Sequence, residues 1–189
     1  MSAITSSHIE FYKVRVFPFV TSCPERHFHK SSIIAFEIMS LAPPFTEETA
    51  RAKVKKAQDL WNAQDPKAIA KAYTPDSIWR NRSHFLQGTA AIEDFLTAKW
   101  AKEKSYRLRK ELFAFTDDRI AVQFWYEMQD SSDGMKWKRC YGLEDWTFAA
   151  DGKMRKRQMS GNDVEIAEGE RWFVDGVDVN AVEIGEAHW

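Results

Sequence analysis

The sequence predicts one α+β domain in which helices cover one face of a curved antiparallel sheet. Three observations carry this. The chain has 189 residues, the length of one domain with appendages rather than two domains. From Pro43 to Trp100, apolar residues recur mainly at helical spacing, and after Tyr106 the period falls to two. The alternating stretches are separated by turn sequences, so they form a meander, and helices followed by a meander pack against one side of it.

The elements follow in order. Thr46 before Glu47 and Glu48 is an N-cap with acids in the first turn, and Ala50, Val54, Ala57 and Trp61 continue an amphipathic helix over 47–63. Asp65-Pro66 starts a second helix with Ala68, Ile69, Ala72 and Tyr73 as its buried face, and Thr74-Pro75 stops it. Residues 76–82 read as a short strand, followed by a loop containing His84. Gly88-Thr89 opens a third helix with Ile92, Phe95, Leu96 and Trp100 on one face. Four strands then run over 106–115, 119–129, 136–148 and 153–161, divided by turns at 116–118, 131–134 and 150–152.

The ends read differently. Residues 1–42 hold five phenylalanines without a sustained period and are assigned as an N-terminal extension, disordered or upstream of a natural start at Met39. They lack a compact apolar region with a cleavage site. Glu10, Glu25 and Glu37 weigh against a mitochondrial presequence, which remains the alternative for residues 1–38 to a cytoplasmic location. The domain occupies 43–173, and 174–189 form an acidic tail that straps over it or is mobile.

Composition narrows the partners. The formal net charge is −1 and no long run of one sign occurs, which argues against nucleic acid. No stretch approaches the ~18 apolar residues of a membrane span. Cys23 and Cys140 sit apart in unlike segments, as expected of two free thiols in a reducing compartment. Aromatics make up 14% of the chain, so either the core is heavily aromatic or a cavity is lined with rings.

Local motifs now add a resemblance. Trp61-Asn62-Ala63-Gln64-Asp65, Ala72-Tyr73-Thr74-Pro75-Asp76 and Gly88-Thr89-Ala90-Ala91-Ile92 are similar to the start of nuclear transport factor 2-like proteins. That superfamily includes ketosteroid isomerase, scytalone dehydratase and the polyketide cyclase SnoaL. The chain resembles an uncharacterised SnoaL-like family through Tyr73 to Arg82, Phe95 to Trp100, Tyr106-Arg107-Leu108, Arg119 to Val122, Tyr126-Glu127, Tyr141 to Trp146 and Ser160 to Val164. It departs from that family at Leu143, Gln123 and the segment after Phe173. The resemblance implies a cone-shaped curved sheet packed on three N-terminal helices, a cystatin-like α+β barrel, and a homodimer paired through the convex sheet face. It also places the ketosteroid isomerase base at Asn81 and its oxyanion-stabilising tyrosine at Ala57. An amide takes no proton at neutral pH and Ala donates no hydrogen bond, so that Asp/Tyr mechanism is excluded by functional group.

Other candidates come from the strands. Arg80, Arg82, Glu127, Arg139, Glu144, Arg157 and Asp163 are charged residues among aromatics, either a ligand-orienting set or ordinary cross-strand ion pairs. Alternation puts Arg139 with Tyr141 on one face and Glu144 with Trp146 on the other, so one uniform strand cannot turn all four into a cup. Candidate acid or base groups are Glu127, Glu144, Asp163 and His84. Candidate ligand contacts are Trp79, Arg80, Asn81, Trp100, Tyr126, Arg139, Tyr141 and Trp146. The histidines His8, His27, His29, His84 and His188 make no metal-ligand pattern, and no phosphate loop or nucleophile elbow is present, so no metal and no cofactor are expected. The expected function is a small-molecule pocket. Its enzymatic form is a cofactor-independent lyase, isomerase or cyclase on an apolar carbonyl compound, and its alternative is a non-catalytic ligand-binding or homodimerisation module. A solid aromatic plug in place of a cavity would exclude a ligand.

Overall fold

The structure is a computed structural model that describes residues 40–188. The expectations for the extension, Met39, Cys23, His8, His27 and His29 lie outside the described residues. Three helices, α1 (Glu47–Asn62), α2 (Pro66–Ala70) and α3 (Thr89–Lys102), pack on a curved, open six-stranded sheet. Its strands are β1 (Tyr73–Asn81), β2 (His84–Gln87), β3 (Glu103–Phe115), β4 (Arg119–Asp130), β5 (Lys136–Phe148) and β6 (Met154–Glu165). The spatial order is β2-β1-β6-β5-β4-β3. All neighbours are antiparallel except β1 and β6, which run parallel, so the sheet is mixed. Among the described residues no helix is long and apolar enough to cross a membrane.

The helix starts follow the sequence signals. Thr46 caps α1 and exchanges bonds with Thr49, Asp65 caps α2 with Pro66 in its first turn, and Gly88 opens α3 at a φ of 82°. One element is additional. Residues 84–87 pair with 78–81 as the edge strand β2. The connecting turn is only Arg82-Ser83, and Arg82 adopts a φ of 57°. A hairpin turn with Arg in the left-handed region lacks the Asn-Gly or Gly signature by which short hairpins are read. His84 therefore sits on a strand, not in a loop.

The pleat sorts residues onto two faces. Ile120, Val122, Phe124, Tyr126 and Met128 point into the cup, opposite Cys140, Glu144, Trp146, Arg157 and Met159, and with Trp61, Trp79, Ile92 and Leu96 they close the main core. Gly142 makes room for Phe124, since a Cβ there would lie 2.0 Å from the buried ring. A bulge at the start of β3, with Ser105 at a φ of 52°, lets Glu103 and Tyr106 both turn toward the cup. The free edge of β3 is covered by α1. Asn62 bonds both the carbonyl and the N–H of Leu108 at 2.8 Å, and Gln58 accepts from the N–H of Lys110 at 2.9 Å. These two amides fix the register that aims Lys110 inward.

The convex face is partly covered by the chain end. Glu127 is fully buried and accepts from the backbone N–H groups of Trp172 at 2.9 Å and Phe173 at 3.0 Å. Arg139 bonds Glu127 at 2.8 Å through Nε and stacks on Trp172 at 3.5 Å. Phe173 and Val179 then bury against Trp125 in a second small core. Residues 166–184 are therefore a strap held by named contacts.

Candidate functional site

The cup divides into a floor and a mouth. At the floor, Lys110 Nζ and Arg157 Nη2 both bond Glu144 Oε1, at 2.8 Å and 2.6 Å. Trp146 donates to the other carboxylate oxygen, and Arg157 Nη1 donates to Asn81 Oδ1 at 3.0 Å. All three charged side chains are at most 2% exposed. Aromatic rings take up the remaining cation surface: Lys110 lies 5.4 Å from Trp61, 5.1 Å from Phe124 and 5.3 Å from Trp146, and Arg157 lies 4.6 Å from Trp79. The space left is about 10 Å³, the threshold for one water. The deep cup is thus filled at its floor by these rings and ions, and any space for a small molecule lies above it.

Titration behaviour follows from this packing. Burial alone would raise the Glu144 carboxyl, but Arg157 and then Lys110 outweigh it and hold the group down at about 2. Burial lowers the Lys110 ammonium to about 8, with Glu144 opposing and Arg157 adding to the fall. The two directions agree physically. One carboxylate feels two cations, whereas each cation has only a shared carboxylate. Glu144 is therefore a fixed charge, not a proton donor or acceptor near neutrality.

The mouth is a cavity of about 310 Å³ bounded by Asn81, Arg82 and His84 from the β1–β2 hairpin, Phe95, Ala98, Lys99 and Lys102 from α3, and Glu103, Tyr126, Met128, Asp130 and Asp163 from the sheet. This lies at the lower end of the ~300–1,000 Å³ of small-molecule sites. Its charges are paired. Arg82 meets Asp163, Lys99 meets Glu103, and Lys102 meets Asp130 at 3.4 Å. Arg82 also donates to Tyr126 Oη at 3.3 Å and to Cys140 Sγ at 3.0 Å. Burial, with Glu103 next, pushes the Tyr126 phenol well above its ordinary value, so it is a neutral donor. Lys99 Nζ sits 4.5 Å from the centre of the Tyr126 ring, and its pKa is lowered by burial against the pull of Glu103. Burial pushes the Cys140 thiol up to about 12, which removes it as a nucleophile at neutral pH. Because Asn81 Oδ1 takes the Arg157 bond, its amide nitrogen is left without a partner among the described residues. Asn81 borders both floor and mouth.

The sequence candidates separate accordingly. Asn81, Tyr126, His84 and Asp163 come together at the mouth, and Glu144 lies beneath them. Trp79 and Trp100 are buried core rings, each with an unpartnered Nε1. Trp146 packs between the floor and a cleft at the other end of the cup, which Ala57 also lines. Asn81 and Ala57 thus border different cavities, with Trp61 between them. Glu127, Arg139, Arg80 and Tyr141 lie on the convex face, for the reason alternation gives: they fall in the opposite phase from Glu144. Lys110, Lys99 and Glu103 were not among the candidates. Two carried a signal: Lys110 occupies the apolar phase Leu108-x-Lys110-x-Leu112, and Lys99 falls on the Ile92–Leu96–Trp100 stripe of α3. Among the described residues no group of three His, Cys, Asp or Glu is placed to hold a metal.

No curated protein matches this sequence. Several solved structures share its fold. The epoxide hydrolase/cyclase-like enzyme SalBIII, of pyran ring formation in salinomycin, is 16% identical, with a TM-score of 0.55 over 61% of this chain and 92% of its own. A type 2 hexachlorocyclohexane dehydrochlorinase (LinA) is 13% identical, with a TM-score of 0.55 over 69% and 95%. An NTF2-like protein of unknown function from Burkholderia pseudomallei is 14% identical, with a TM-score of 0.53 over 59% and 88%. The fold is therefore the nuclear transport factor 2-like cone, and the match of residues 43–174 to "Protein of unknown function (DUF1348)" establishes that the chain belongs to that family.

Proposed function

We propose that the mouth of the cup binds a small apolar molecule through a carbonyl oxygen and promotes a cofactor-independent elimination, isomerisation or cyclisation on it. One observation carries this reading: three side chains with hydrogen-bond donors, Asn81, Tyr126 and Lys99, line one cavity of about 310 Å³ with apolar walls from Phe95, Ala98 and Met128. Donors that converge on an oxygen in a site shielded from water stabilise the negative charge that develops there. Proton transfer to or from carbon then needs a nearby acid or base. His84 at the lip and Asp163 beside Arg82 are the groups available. The names of two structural neighbours, a cyclase-like enzyme and a dehydrochlorinase, accord with such chemistry. Asn81 excludes the ketosteroid isomerase base from it.

Native mass spectrometry of protein purified from its source tests the reading. A co-purifying small molecule is expected, and Tyr126→Phe should lower its occupancy at least several-fold. If the wild-type protein carries nothing and a panel of cyclic ketones leaves its melting temperature unchanged, the pocket reading fails.

The non-catalytic alternative shares this cavity, and turnover of the co-purified molecule separates the two. In either case we propose a homodimer formed by the convex face. Phe113 and Leu143 remain 63% and 53% exposed there, beside a groove shared with Trp125 and Tyr141. Exposed apolar patches of this kind mark interaction surfaces. Light scattering should find a dimer at micromolar concentration, and Leu143→Glu should make it monomeric without lowering the melting temperature of the monomer fold. A wild-type monomer would reject the proposal.

A further inference from the structure

The cup floor holds an unbalanced charge. Lys110 and Arg157 share the single carboxylate of Glu144, and their only other polar partner at the floor is the neutral Asn81. The mouth above contributes nothing to the balance: Arg82 pairs with Asp163 and Lys99 with Glu103, while Lys102 shares Asp130 with Lys138, which also meets Asp133. The described interior therefore carries one cation too many. A buried charge without a counter-charge is costly, and aromatic rings offset only part of that cost. Water has almost no room to help, since about 10 Å³ remains at the floor.

We propose that the molecule this cup receives is a monoanion, an apolar carboxylate, whose charge supplies the missing counter-ion. The proposal rests on the mouth being a ligand site and names the class of ligand. The geometry gives the pose. Asn81 borders both the mouth and the floor, as do Lys99 and Tyr126, and of these three it is the one that bonds Arg157: its oxygen is tied to the guanidinium at 3.0 Å, and its nitrogen has no partner among the described residues. A carboxylate has two acceptor oxygens. One can accept from the Asn81 nitrogen and the other from the Tyr126 hydroxyl, with Lys99 alongside over the Tyr126 ring. The rest of the ligand lies against Phe95, Ala98 and Met128. A neutral amide of the same shape makes similar hydrogen bonds but leaves the floor cation unbalanced.

The lysine also provides a linkage. Lys110 is faced by Glu144 on β5, Arg157 on β6 and Lys99 on α3, with Tyr73 on β1, Tyr126 on β4 and Tyr106 of its own strand nearby. An anion in the mouth favours the charged ammonium over the neutral amine. Binding near pH 8 to 9 must then take up protons.

Calorimetry of the full-length protein with benzoate and benzamide decides the matter. Benzoate should bind at least tenfold more tightly than benzamide, about 1.4 kcal/mol. Its binding enthalpy at pH 8.5 should differ between two buffers of unlike ionisation enthalpy in the sense of proton uptake, whereas that of benzamide should not. Asn81→Asp places a carboxylate on Arg157 covalently. This variant should lose the benzoate preference, the affinity ratio of the two probes falling to about one or below. Equal binding of the two probes by the wild type overturns the anion proposal and leaves the pocket reading intact. Retention of the benzoate preference by Asn81→Asp also overturns it. Binding of neither probe overturns both. Should Asn81→Asp not fold, the wild-type affinity ratio and proton uptake remain decisive.

Discussion

Glu144→Gln is expected to lower the unfolding free energy by about 3–5 kcal/mol, because it removes the only carboxylate shared by two buried cations. The side chain keeps its size, so the loss is electrostatic and not a cavity. Lys110→Met in the same background should recover much of it, since one of the orphaned charges is then gone. The two effects are non-additive because the residues share one network. The pH dependence has a defined sign. The folded carboxyl sits near 2 and its unperturbed value is 4.5. Glu144 therefore contributes stability that is fully present above pH 4.5 and is lost as pH falls toward 2, about 3 kcal/mol over that window. Urea unfolding at pH 7, 4.5 and 3 checks this. The difference between wild type and Glu144→Gln should shrink on acidification. A difference that stays under 1 kcal/mol at pH 7 would mean the network does not hold the floor.

Much of this architecture was legible because the code is local. Helix caps at Thr46, Asp65 and Gly88, and strict alternation from Ile120 to Met128, need no knowledge of distant residues. What escaped depends on pairing. Strand β2 exists because Arg82 accepts a left-handed conformation, and Arg82 N–H is at the same time held by Met159 O at 3.0 Å across the sheet. No local signal announces that. The site divides in the same way. Alternation within β5 separated Arg139 from Glu144, but it could not say which face was the cup. Only the register of β4 against β5, Glu127 opposite Arg139 and Val122 opposite Glu144, ties the second set to the core. Lys110 shows the limit most clearly. A lysine in an apolar phase reads as an interruption of the pattern, and becomes a buried ion only once Glu144 and Arg157 arrive from residues 34 and 47 positions onward.

Glu127→Ala is the substitution expected to free the strap. The one carboxylate of Glu127 accepts from Trp172 N–H, Phe173 N–H and the Arg139 guanidinium. Its removal leaves the buried Arg139 without a counter-charge, though still bonded to Glu170 O and Tyr141 Oη, and two backbone donors unmet, a loss of about 3–5 kcal/mol if everything else stayed in place. The strap gives the molecule a cheaper response. On the sheet it rests on a small core of Trp125, Phe173 and Val179 with a few bonds from Arg107 and Arg109. Local release re-exposes Arg139 to water, which limits the cost to the docking energy of that segment. The melting temperature of the main domain should therefore fall by only a few degrees, while the amides of Trp172 and Phe173 lose hydrogen-exchange protection by about 100-fold or more. Proteolysis should cut within 166–185 first. Trp125, now buried, should become solvated, with a red shift in tryptophan emission. Glu127→Gln keeps one acceptor oxygen and should fall between the two. A cooperative loss of the whole fold in Glu127→Ala, with protection of the strap and of β4 lost together, would instead make the strap an integral part of the domain.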